Sequence, residues 1–274
     1  MSFQGKTALV TGASRGIGRA IALALAQQGL HRIILVARNA QHLAEVAAEI
    51  TDLGVEAVSL PLDLTQPVVV NIVIAQAWQR HGPIHLLVNC AGIAHQVPFL
   101  EAHVSQAQEE IALNLIGTYT VTRLIAKRMV SKEEGRIVNV SSLMGKLAAP
   151  TMATYCATKF ALLGFTQALR SELAAHNIQV MAFLPSLTDT DMTRDLRLFR
   201  WVIPMTPQKV AQAFVASLDR NTAEILVGWQ SHLAVWCHRI APGLLAWLIR
   251  LAAPGEEKQN ASPLVMRPAG TTHS

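Results

Sequence analysis

Seven short runs of aliphatic and β-branched residues recur along the 274-residue chain, separated by longer stretches with helical periodicity. This alternation restricts the fold more than any other feature. The runs are Thr7–Val10, Ile33–Val36, Val55–Leu60, Leu86–Val88, Ile137–Val140, Ile178–Leu184 and Glu224–Val227. Helical patterns are expected over residues 16–28, 41–53, 67–80, 104–130, 154–176 and 207–218. Nearly continuous apolar strands belong to parallel sheets that helices cover on both faces. Joining such strands takes right-handed helical crossovers, so the reading is one α/β domain with a doubly wound, seven-stranded parallel sheet.

Composition narrows the function. A hydrophobic share of 51% and a charged share of 15% exclude a disordered chain. Three widely spaced cysteines with no CxxC pair argue against a disulfide framework or a zinc site. His81 and His85 are four apart, but Gly82-Pro83 breaks any helix between them, so no metal is expected. The net charge of +5 contains no block of like charge, which argues against nucleic-acid binding. It suits an anionic cofactor, an anionic carrier or a membrane surface. Met1–Lys6 runs into the first strand without an apolar leader, so the cytoplasm is the expected compartment.

The segment Thr11-Gly12-Ala13-Ser14-Arg15-Gly16-Ile17-Gly18 lies between the first strand and the first helix. Glycines there let the backbone turn and approach a pyrophosphate, and the helix start offers free N–H groups to the anion. At the end of the second strand, NAD sites carry an acidic residue for the ribose hydroxyl. This chain has Val36-Ala37-Arg38-Asn39 instead. Arg38 and Arg15 could both face a 2′-phosphate, so the expected cofactor is NADP(H). Asp63, followed by Leu64, either accepts from an adenine amino group or caps the next helix. Asn89, Ala91 and Gly92 follow the fourth strand, at the carboxyl edge where such sheets bind ligands.

Tyr155 and Lys159 fall on one face of a helix, Ser141-Ser142 ends the fifth strand, and Asn114 lies in the long helix before it. Reducing a ketone needs a proton donor and a group that holds the oxyanion. A tyrosine with a pKa of about 10 exchanges protons poorly near neutrality, and a nearby ammonium is expected to lower that value. Ser142 would hydrogen-bond the substrate oxygen, and Asn114 would hold a water relaying protons to Lys159.

These motifs resemble those of the short-chain dehydrogenase/reductase family, from about Lys6 to Val227. Ser142 stands thirteen residues before Tyr155, the family's usual spacing, which selects it over Ser141. The resemblance implies a Rossmann-type fold, with Tyr155 as acid/base, Lys159 as modulator and ribose contact, Ser142 as oxyanion donor and Asn114 as relay. It also implies cofactor contacts from Pro185, Leu187 and Thr190, and a homodimer or homotetramer. Two departures stand out: Cys90 replaces a second Asn, and Pro185-Ser186 replaces Pro-Gly, which matters if that turn needs a positive φ.

The expected organisation is a catalytic domain over 1–228 with a lid near 188–206, an apolar extension over 229–253 and a flexible tail over 254–274. The lid carries Arg194, Arg197 and Arg200 among Leu196, Leu198, Phe199 and Trp201, which suits a substrate with an apolar chain and an anionic end. The substrate would be a hydrophobic carbonyl such as a 3-oxoacyl thioester. Lys127, Arg128 and Arg170 could form a basic patch for an acidic acyl carrier. Residues 229–253 hold three of the five tryptophans. They read as a helix pair lying on a membrane, a flap over the active site, or a dimer contact. A function from another class also stands: a catalytically idle NADP(H)-binding sensor.

Overall fold

The computed structural model of the chain describes residues 3–194, 196–197, 199–200 and 202–253. The expected tail and three lid residues, Asp195, Leu198 and Trp201, lie outside them. The elements run β1 (Thr7–Thr11), α1 (Gly16–Ala26), β2 (Arg32–Ala37), α2 (Ala40–Asp52), β3 (Glu56–Pro61), α3 (Pro67–His81) and β4 (Leu86–Asn89). After α4 (Val104–Glu110) and a π-helical segment (Ile111–Gly117) come α5 (Thr118–Val130), β5 (Gly135–Val140) and α6 (Ala153–Leu173). The chain continues with β6 (Ile178–Leu184), α7 (Asp191–Arg194), α8 (Pro207–Ser217), β7 (Glu224–Leu226), α9 (Trp229–Ile240) and α10 (Pro242–Ala252).

The strands form one parallel sheet in the order β3-β2-β1-β4-β5-β6-β7. The order reverses between β1 and β4, where Thr11 stands opposite Asn89, and a crevice opens above their carboxyl ends. On one face, Ile21 of α1, Leu43 and Val46 of α2 and Phe214 of α8 cover the sheet. Phe183 of β6 meets Phe214 edge-on, with ring centroids 5.1 Å apart. On the other face, Val70 and Ile74 of α3 pack with Val121, Ile125 and Met129 of α5. Local signals set the helix starts: Asn39 Oδ1 accepts the His42 N–H at 3.0 Å, and Pro67 and Pro207 open α3 and α8.

The expected continuous α-helix over 104–130 is corrected at its centre. Ile111–Gly117 is π-helical, a wider turn that 3.6-residue periodicity cannot reveal. No helix among the described residues is long and apolar enough to cross a membrane.

A buried polar chain ties the sheet's centre to its helices. Asn89 Nδ2 donates to Thr122 Oγ1 and to Asn139 Oδ1, each at 2.8 Å, and Asn139 Nδ2 donates to Thr166 Oγ1 at 2.9 Å. Asn139 is fully buried. Asn139→Ala removes two of these bonds and strands the partners in apolar surroundings, so we expect a loss of about 2–4 kcal/mol of unfolding free energy. Urea unfolding measures it; a loss within about 0.5 kcal/mol, the usual surface value, means that the network carries no stability.

Candidate active site

The turn after β1 is built for close backbone approach. Gly12 and Gly16 have φ of 68° and 56°, a region that glycine enters without strain. A Cβ on Gly12 would stand 2.8 Å from Ala91 Cα. Thr11 Oγ1 accepts the N–H groups of Cys90 and Ala91 at 3.0 and 3.2 Å, clamping the turns after β1 and β4 together. Arg15 gives α1 no side-chain cap, and the first turn of α1 holds no acidic residue. Ser14, Gly16, Ile17 and Gly18 line the cleft, so free helix-start amides and the positive end of the helix dipole face it.

At the end of β2, exposed Arg38 and Arg15 line the same cleft, and neither forms an ion pair among the described residues. Asp191 is the one carboxylate among the described lining residues, and it pairs with Arg194 at 2.8 Å. Leu64 and Gly92 also line the wall. Asp63 does not; its Oδ1 accepts from the Thr65 N–H and hydroxyl at 2.9 and 2.8 Å, so it caps its own turn. Asn89 likewise turns into the core network rather than the cleft. The donor set fits a dinucleotide: uncapped amides for a pyrophosphate, and two unpaired guanidinium groups for a phosphorylated ribose.

Beyond the glycine turn, Tyr155 and Lys159 of α6 meet Ser142 at the end of β5. The Tyr155 hydroxyl faces Ser142, which works against the effect of burial on the phenol, and Ser142 Oγ accepts the Met144 N–H at 3.1 Å. Ser141 plays a different part: it is buried and donates to the Lys159 carbonyl at 3.0 Å, fixing α6 against β5. Lys159 is buried, donates from Nζ to the Val140 carbonyl at 3.1 Å and stands 5.6 Å from the Tyr155 ring centroid. The amide of Asn114 grips the backbone of Ile93 in both directions, at 2.9 Å each, and donates to Thr158 at 3.2 Å. That side chain is therefore engaged on both its oxygen and its nitrogen by protein groups. Its neighbourhood is still that of the lysine: a Cβ on Gly92 would lie 3.2 Å from Asn114 Oδ1 and 3.6 Å from Lys159 Nζ.

The expected lowering of the tyrosine pKa is not what the protein's own groups produce. Burial pushes the Tyr155 phenol up to about 12, with the Ser142 hydroxyl opposing it. Burial also brings Lys159 down to about 8. Desolvation is the largest cause of the shift in each group. The phenol therefore rests protonated. The Cys90 thiol, in the place of the second Asn, is pushed up to about 12 by burial and stays neutral.

Pro185 accepts the Leu143 N–H at 3.0 Å, and Leu187 accepts the Met205 N–H at 2.8 Å, so this loop is tied to the Ser142 turn and to the end of the lid. Ser186 is absent from the positive-φ residues, so the turn never required the glycine. Thr190 sits over the glycine turn: a Cβ on Gly16 would lie 3.3 Å from its Cγ2. Gln96, which carries no sequence signal, clasps the lid by donating to the Arg197 carbonyl at 3.1 Å and accepting the Arg197 N–H at 2.7 Å. On the other side, the Arg200 N–H donates to the Ala252 carbonyl at 2.8 Å. The lid is thus held between the β4 loop and α10.

Residues 229–253 cross the cleft as a helical pair. Leu233, Ala234, Cys237, Leu245 and Ile249 line it, continuing an apolar wall begun by Leu147, Met152, Leu196 and Phe199. The cleft encloses about 810 Å³. The expected basic patch is corrected. Lys127, Arg128 and Arg170 lie in the last turns of α5 and α6, which run back to the amino edge of the sheet, opposite the cleft. Arg170 donates to the carbonyls of Val180 and Asn221 at 2.8 and 3.0 Å, and Arg128 to that of Leu124 at 2.7 Å.

The model of the short chain dehydrogenase family matches residues 6–201. The chain is 37% identical over 191 residues to a 3-oxoacyl-(acyl-carrier-protein) reductase of Synechocystis sp., spanning 70% of this chain and 77% of that one. It is 34% identical over 243 residues to the reductase of the same description from Aquifex aeolicus, spanning 85% and 97%. A short chain dehydrogenase of Burkholderia cenocepacia J2315, solved in complex with NADP, superposes with a TM-score of 0.79 at 29% identity, covering 93% of this chain and 100% of that one.

Proposed function

The chain belongs to the short-chain dehydrogenase family, and from that premise we propose that it is an NADPH-dependent reductase that converts an apolar ketone to a secondary alcohol. The observation that carries this reading is the pair of hydroxyls, Tyr155 and Ser142, that line the cleft together where the glycine turn gives way to an apolar wall. The first turn of α1 would hold the pyrophosphate, Arg15 and Arg38 the ribose phosphate, and Leu187 and Thr190 the far end. When bound, the reduced dinucleotide supplies the hydride. Ser142 and Tyr155 hold the ketone oxygen with two donors, and Tyr155 gives up the proton as negative charge develops. A phenol that rests protonated suits that direction. The buried ammonium of Lys159, one helical turn away, offsets the charge left on Tyr155. Asn114 acts by holding Ile93 and Thr158 in place.

The apolar wall supports a substrate with an alkyl or acyl chain, and the names of the relatives support a 3-oxoacyl thioester, free or carrier-borne. Exposed Ile116, Tyr119 and Phe160 on the helices outside the cleft support assembly as a homodimer or homotetramer. The test is NADPH oxidation across ketones graded by chain length. We expect kcat/KM to rise about fourfold per added methylene, from about 0.8 kcal/mol each, until the wall is filled. Absence of oxidation with every ketone, or a preference for short hydrophilic ones, overturns the reading.

A further inference from the structure

The geometry points to an anionic lipid surface as the partner of the outward face of α9 and α10. This goes beyond the reaction and does not depend on it. The two helices share the cleft wall on one side. On the other they present Trp236, Ile240, Leu244, Trp247 and Leu251, none of which lines the cleft and all of which are between 46% and 64% exposed. The spacing 244, 247 and 251 makes one stripe of α10, and 236 and 240 make its continuation on α9. A face this apolar is unusual on a chain that stays in water.

Charge decides among the occupants. No Asp or Glu occurs between Glu224 and Glu256, while Arg239 and Arg250 lie within the pair. Neither forms an ion pair among the described residues. A second copy docking by two-fold symmetry would gather two sets of these cations into one interface, with no carboxylate on either helix pair to offset them. An anionic bilayer meets both properties at once: its headgroups take the arginines and its acyl boundary takes the tryptophans. Helices of 12 and 11 residues are too short to cross, so they lie in the plane of the surface. The cleft then opens beside the lipid, and an apolar ketone can pass into it without crossing water.

The full-length protein is floated with vesicles of phosphatidylcholine plus phosphatidylglycerol, and with vesicles of phosphatidylcholine alone. Flotation is expected with the first, at least tenfold less with the second, and progressively less as salt is raised. The double substitution Trp236→Glu with Trp247→Glu should lower the bound fraction at least tenfold, whereas Trp236→Phe with Trp247→Phe should retain it. Arg239→Glu with Arg250→Glu should abolish the preference for anionic vesicles, which keeps the test open if the first variant fails to fold. No flotation of the natural chain, or flotation indifferent to all these changes, overturns the proposal. So does a natural chain that ignores vesicles and whose mass by light scattering falls in the tryptophan variant; the face is then a contact between copies.

Discussion

Tyr155→Phe should lower kcat for ketone reduction at least about a thousandfold, combining the loss of a general acid with the loss of one oxyanion donor. The dissociation constant for NADPH, read from its fluorescence, should move by no more than about twofold, because the phenyl ring keeps its packing on the cleft wall. Retained turnover in that variant means the proton comes from elsewhere. A natural chain that binds NADPH but reduces nothing leaves the idle sensor as the standing reading. The same chemistry fixes the pH dependence. Burial holds the phenol up near 12, so it stays protonated and able to donate across the neutral and mildly alkaline range. Lys159 is brought down to about 8, so its ammonium is present below that pH and lost above it. The reductive kcat should therefore be level near neutrality and fall as pH rises through about 8. A rate that climbs through that pH would mean that the phenolate is the working form.

The strand–helix alternation was legible because parallel strands buried on both faces are continuous apolar runs, and Ile33–Val36 or Leu86–Val88 can hardly be anything else. Element ends were legible only where a residue announces them, as Asn39, Pro67 and Pro207 do. The approach of Tyr155 and Lys159 to the end of β5 followed from helical spacing and strand position, while the choice of Ser142 over Ser141 came from the family resemblance. What escaped depends on contacts distant in sequence. Asn89 sits in a motif at the right edge of the sheet, yet its side chain falls on the side that meets Thr122 and Asn139. The pKa of Tyr155 depends on how deeply it and Lys159 are desolvated, which no pairwise spacing expresses. The grip of Asn114 on Ile93 is made from within a π turn, and the clasp of Gln96 on Arg197 joins residues a hundred positions apart. Residues 229–253 were legible as two apolar helices, but which of their faces would meet the cleft was not.

Arg38→Asp should reverse the choice of dinucleotide. The guanidinium of Arg38 is exposed, lines the cleft and has no ion-pair partner among the described residues, so its charge is available to a ribose phosphate. Removing such a charge-assisted pair costs about 2–3 kcal/mol, and a carboxylate facing the phosphate adds repulsion of similar size. The carboxylate also gains the ribose hydroxyl of the unphosphorylated cofactor. The ratio of kcat/KM for NADPH to that for NADH should therefore fall at least about a thousandfold, the equivalent of about 4 kcal/mol or more. Arg15→Ala should move the same ratio less, because nothing repulsive is introduced. Folding should be unaffected, since the α2 cap is made by the side chain of Asn39, the residue after the substitution. Initial rates with the two dinucleotides at one fixed ketone concentration give the ratio directly. A ratio unchanged by Arg38→Asp means that this arginine faces water, and the preference must then be sought at Arg15 and the amides of α1.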